Sequence, residues 1–130
     1  SILEQYRIKN LCKIKLGISN SLVANFYLFG VDFVELDSLD FQNSIFFTGN
    51  ELLGKKYQTV KSNEAFKVFV KENPLFSFEK IVLNKDKANY DLIWLRAGGM
   101  FISDELRIAV IEANLTGLKI VEKAPTLHLT

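Results

Sequence analysis

The chain has 130 residues, 48% of them apolar and 24% charged, with 7 Gly and only 2 Pro. That is enough apolar surface for one buried core, which excludes disorder and linker-dominated architectures and makes residues 1–130 a single domain. The net charge is +1, so charge alone does not call for a nucleic-acid or membrane partner.

In chain order, Ile8, Cys12, Ile14, Leu16 and Ile18 alternate with Arg7, Lys9, Lys13 and Lys15. This predicts a half-exposed antiparallel strand with a basic outer face and a buried, inert Cys12. Ser19-Asn20-Ser21 supplies a turn, and Leu22 to Phe29 reads as a strand covered on both faces. Gly30 breaks it, and Val31, Phe33 and Leu36 resume an alternating strand with Asp32 and Glu35 on its other face. A polar loop runs from Asp37 to Ser44. Ile45 to Thr48 is expected as a short edge strand and Tyr57 to Val60 as a weak one.

Residues 61–123 hold two similar helix–strand units, after a strand-rich part at 1–60. Ser62 caps a helix with apolar positions Phe66, Phe69 and Val70; Asn73-Pro74 stops it, and Phe76, Phe78, Ile81 and Leu83 follow as a strand. Tyr90 to Leu95 is an apolar strand that turns through Gly98-Gly99 into Met100 to Ile102. Ser103 then caps a second helix with Leu106, Ala109, Val110 and Ala113 inward, and Leu118 to Val121 is expected to close the unit as a strand. With few helices and hairpin-length connections before the first, the fold expected is α+β: a mostly antiparallel sheet of six or seven strands, with two short helices packed on one face.

Candidate chemistry is sparse. One Cys and one His (Cys12, His128) exclude a disulfide framework and leave no ligand set for zinc, so neither a metal nor a cofactor is expected. His128 lies beyond Pro125 in what reads as a frayed tail, far in sequence from Ser44, Ser62 and Ser103, which all have turn or capping roles to fill. No catalytic residues are assigned. No apolar run is long enough for a membrane span and no signal-peptide pattern is present, so a cytoplasmic location is expected.

The distribution of charge is more telling. From Leu16 to Gly54 there is no Lys or Arg, while Asp32, Glu35, Asp37, Asp40 and Glu51 are all acidic. The most aromatic stretch, Phe26 to Phe47, falls inside this segment, where acids would repel phosphate, so nucleic acid is not the expected partner. Asp32, Glu35, Asp37 and Asp40 are candidate partner-binding residues, weighed against a solvated strand face running into a loop.

Met100-Phe101-Ile102-Ser103-Asp104-Glu105-Leu106, followed by Ala109, Ala113 and Leu115-Thr116-Gly117-Leu118, resembles the closing signature of immunity proteins of bacterial polymorphic toxin systems. Leu39-Asp40-Phe41-Gln42-Asn43-Ser44 is similar to that family's Leu-Asp-x-x-x-Ser segment, and Asp91 to Leu95 stands where the family has an Asp-Ile-Phe-like strand. The Ser62 helix between these islands is a departure from the pattern. The resemblance implies a protein that neutralises a cognate toxin by binding and occlusion, without turnover. If the toxin is a nuclease with a basic active site, the acidic segment would mimic phosphate. The alternative is an interaction or regulatory domain cut from a larger protein, suggested by the start at Ser1 and by Ile2-Leu3, which could continue an upstream element. The sequence leaves the oligomeric state open.

Overall fold

A computed structural model of the chain describes residues 1–16, 26–96, 98–121 and 125–130. The strands are β1 (Cys12–Leu16), β2 (Phe26–Gly30), β3 (Ile45–Asn50), β4 (Gly54–Gln58), β5 (Ser77–Leu83), β6 (Leu92–Leu95), β7 (Gly99–Ile102) and β8 (Thr126–Leu129). The helices are α1 (Asn63–Glu72), the single turn α2 (Lys85–Ala88) and α3 (Asp104–Glu112). The fold is α+β, as expected. Among the described residues the strands divide among three sheets: the ribbon β1-β2, a four-stranded sheet in the order β4-β3-β5-β8, and the hairpin β6-β7. Every pairing is antiparallel except β5 with β8. Isolated parallel bridges Ile8–Leu92 and Val34–Leu95 tie the segments before β1 and after β2 to β6.

Aromatic packing organises the core. Ser62 Oγ accepts the Ala65 N–H at 3.1 Å, starting α1 so that Phe66 and Phe69 face inward. There they meet Phe46 from β3, Phe78 from β5 and Phe76 just before it. Ring centroids lie 5.0–6.5 Å apart, the range in which tilted and edge-on pairs attract. Val34, Leu39, Ile81, Leu83, Ile93 and Leu95 belong to the same core. Between β3 and β4, Asn50 Oδ1 accepts the N–H groups of Leu52 and Leu53, and Gly49 takes a positive φ of 86°. A Cβ on Gly49 would collide with the Gly54 carbonyl, so only glycine fits.

Several expectations are corrected. Ile45 to Thr48 lies within β3, an interior strand flanked by β4 and β5. Of the strand expected at Val31 to Leu36, only the Val34 bridge forms, and Leu36–Ser38 is a 3-10 turn. The ribbon faces solvent more than its pattern implies: Cys12, Ile14, Tyr27 and Leu28 are exposed, so β2 is not covered on both faces and the thiol is not buried. Alternation determines which side chains share a face, but not whether anything covers that face. Ile18, the Ser19–Ser21 turn and residues 22–25 lie outside the described residues. Residues 118–121 form no strand and are exposed, so the second helix–strand unit is not a copy of the first. His128 is not in a frayed tail; it sits in β8 opposite Val82, while Leu127 packs against the core.

Ser44 has a role more specific than a turn. Its hydroxyl is buried, accepts the Val82 N–H at 3.0 Å and reaches the Val82 carbonyl at 3.4 Å, beside a register shift between β3 and β5. Ser44→Ala removes that acceptor from a buried N–H, and urea unfolding should show a loss of about 1–3 kcal/mol; an unchanged midpoint would refute the role.

Candidate partner-binding surface

Between β2 and the 3-10 turn, the chain is held by two backbone bonds. Asp32 N–H donates to Lys9 C=O (3.1 Å) and Val34 N–H donates to Trp94 C=O (2.8 Å). Val34 points into the core, and Phe33 stacks on Trp94 at 4.1 Å with the Arg96 guanidinium 5.0 Å above its ring. Asp32, Glu35 and Asp37 line a concavity of about 640 Å³, whose other polar lining comes from Asn63 and Lys67 of α1 and from Arg96.

Three of the four candidate acids therefore border one concavity, although no strand carries them. Asp32 accepts from Asn10 Nδ2 at 2.6 Å, Glu35 pairs with Lys9 at 3.3 Å and Asp37 with Lys87 at 3.2 Å. The Glu35 and Asp37 side chains remain largely exposed, which keeps these pairs weak. Asp40 does not line the concavity. Its carboxylate accepts from Asn43 Nδ2 (2.7 Å) and from the N–H groups of Gln42 and Asn43 (3.1 Å each), closing the turn before β3. The Asn43 side chain, those backbone donors and nearby Lys80 hold its pKa below the ordinary aspartate value.

The fold also changes the electrostatics expected of this segment. The stretch without Lys or Arg acquires Lys9, Lys67, Lys87 and Arg96 as neighbours, all from outside it. The surface is a mixed-charge concavity in which Asp32, Glu35, Asp37, Lys67 and Arg96 are all exposed. In the same concavity the Asn63 Oδ1 atom is buried and accepts no hydrogen bond among the described residues.

One polar constellation has no counterpart in the sequence reading. Asp91, almost fully buried, accepts from Arg7 N–H (2.8 Å), Nε (3.0 Å) and Nη2 (3.0 Å), while Arg7 Nη1 donates to Asn89 Oδ1 (2.9 Å). The bidentate Arg7 contact, helped by Arg7 N–H and Ser103, lowers the Asp91 pKa. Arg7 lies 84 residues away in a segment whose alternation placed it on a solvent face, so only the charged residue directly preceding an apolar strand hinted at the pair. Among the described residues, no three His, Cys, Asp or Glu side chains converge where they could hold a metal ion, and no helix is long and apolar enough to cross a membrane.

Comparison of the chain with family models, with curated proteins and with solved structures gives no match.

Proposed function

We propose that the chain is an immunity protein that binds a cognate bacterial toxin in the cytoplasm and neutralises it by occlusion, using the concavity at Asp32, Glu35 and Asp37. The observation that carries this reading is that three acidic residues border one concavity, on a segment tied down by the Asp32–Lys9 and Val34–Trp94 backbone bonds. Exposed acids on a fixed surface accelerate encounter with a basic partner and select against acidic ones. A toxin with a basic active site, such as a nuclease, fits that surface.

Several of the residues behind the family resemblance serve the scaffold. Leu39 and Leu106 are buried, Asp40 closes a turn, Ser44 completes a ladder, Asp91 holds Arg7 and Ser103 caps α3 through the Leu106 N–H at 3.2 Å. In this reading the shared pattern specifies a fold, and the variable surface around it selects the toxin.

The test is co-expression with the product of the adjacent gene and a pull-down, followed by association kinetics. Glu35→Lys with Asp37→Lys should lower the on-rate about tenfold at low salt, with a smaller difference at high salt. An unchanged on-rate would remove this surface from consideration, and failure to capture a toxin would favour the alternative, an interaction domain of a larger protein. Asp40→Lys is unsuitable for this experiment because it also breaks the turn.

A further inference from the structure

Arg7–Asn10 lies outside every strand and helix of the described residues, yet each of its residues contacts a distant part of the chain. Arg7 is clamped to Asp91, just before β6: its N–H (2.8 Å), Nε and Nη2 (3.0 Å each) donate to the carboxylate, and its carbonyl accepts the Asp91 N–H at 2.7 Å. Ile8 bridges Leu92 at the start of β6, on the edge away from β7, and Val34 bridges Leu95 at the end of that same edge. Lys9 and Asn10 then close onto residues 32–35. The Lys9 carbonyl accepts the Asp32 N–H (3.1 Å), and its ammonium donates to the Phe33 carbonyl (2.8 Å) and pairs with Glu35 (3.3 Å). Asn10 Nδ2 donates to Asp32 Oδ2 at 2.6 Å.

We infer that Arg7–Asn10 is a strap that couples the Asp91 clamp to the concavity bordered by Asp32, Glu35 and Asp37, with Lys9 as its positioning residue. The Lys9 side chain is only 21% exposed, so its charge needs compensation where it sits, and the Phe33 carbonyl and Glu35 supply it. Asn10 takes a positive φ of 49°, a conformation that Asn adopts more readily than most residues, while its side chain holds Asp32.

Asp91 does not line the concavity, yet it seats the segment that holds two of the concavity's acids in place. Loosening Arg7 from Asp91 therefore loosens Asp32, through a continuous run of bonded residues. Val34 is held separately, by donating its N–H to the Trp94 carbonyl at 2.8 Å. Release of the strap thus has a local signature: the Asp32 N–H loses its acceptor, and the Val34 N–H keeps its own. Seating of the strap does not depend on what occupies the concavity, so it stands apart from the toxin reading.

Amide hydrogen exchange of the whole chain, followed by NMR, tests the coupling. The Asp32 amide should exchange at least about tenfold faster in Asp91→Asn and in Lys9→Met than in the unsubstituted chain. The Val34 amide should accelerate by no more than the loss of global stability measured by urea unfolding. A clamp that served stability alone would accelerate Val34 and leave the local exchange of Asp32 as it was. Arg7→Lys, which keeps the charge but loses the forked contact, loosens the same clamp more mildly should Asp91→Asn perturb folding. An Asp32 amide indifferent to the clamp variants or to Lys9→Met, or a Val34 amide that accelerates beyond the global loss, would overturn the inference.

Discussion

Phe46→Ala is expected to destabilise the chain by about 3–5 kcal/mol, the range for emptying a fully buried aromatic site. Phe46 has 0% exposure, and its ring lies 5.0–6.3 Å from those of Phe66, Phe69, Phe76 and Phe78, so its removal leaves a cavity bounded by four aromatic groups, two from α1 and two from the start of β5. These rings cannot close the gap without moving α1 relative to β3 and β5. Phe47→Ala, one residue away on the other face and only partly buried, should cost far less. Urea denaturation of both variants checks the contrast. Equal losses would mean that the Phe cluster is not the centre of the core.

Asp91→Ala is expected to cost about 2–3 kcal/mol, from three charge-assisted hydrogen bonds set against an Arg7 side chain exposed enough to rehydrate. The pair also sets a pH dependence. Because Arg7 lowers the Asp91 pKa in the folded chain, the unfolded chain binds more protons as acid is added. The stabilisation is complete above the ordinary aspartate pKa of about 3.9 and is lost as pH falls from there through the lowered folded value. Asp40 contributes with the same sign. Asp91→Asn should therefore flatten the acid limb of a stability–pH curve without abolishing it. A variant with the wild-type slope would show that Asp91 is not held ionised by Arg7.

Local signals suffice where one short segment decides the outcome. Ser62 and Ser103 cap the expected helices, Asn73-Pro74 ends α1, and the Gly98-Gly99 turn joins β6 to β7. They do not suffice where the outcome depends on a distant neighbour. His128, beyond Pro125, has the sequence position of a frayed tail, yet its strand β8 pairs with β5. Leu118–Val121 has strand composition and no partner among the described residues. The candidate acids show both sides of this. Their charge and proximity were visible at once, but whether they act as one group was not: Asp40 spends its carboxylate on its own turn, while Lys9 and Lys87 arrive from 26 and 50 residues away.

The order of residues alone determined the α+β class, the two capped helices, the aromatic character of the core and the presence of an acidic segment. These follow from spacing, capping and composition, which act over a few residues. Tertiary structure decided the division into three sheets, the parallel pairing of β8, the buried Asp91–Arg7 pair and the grouping of Asp32, Glu35 and Asp37 around a concavity shared with Lys67 and Arg96. Each depends on which distant segments meet, and that is settled by the burial of the whole apolar set together, because no single strand or helix can cover its own face.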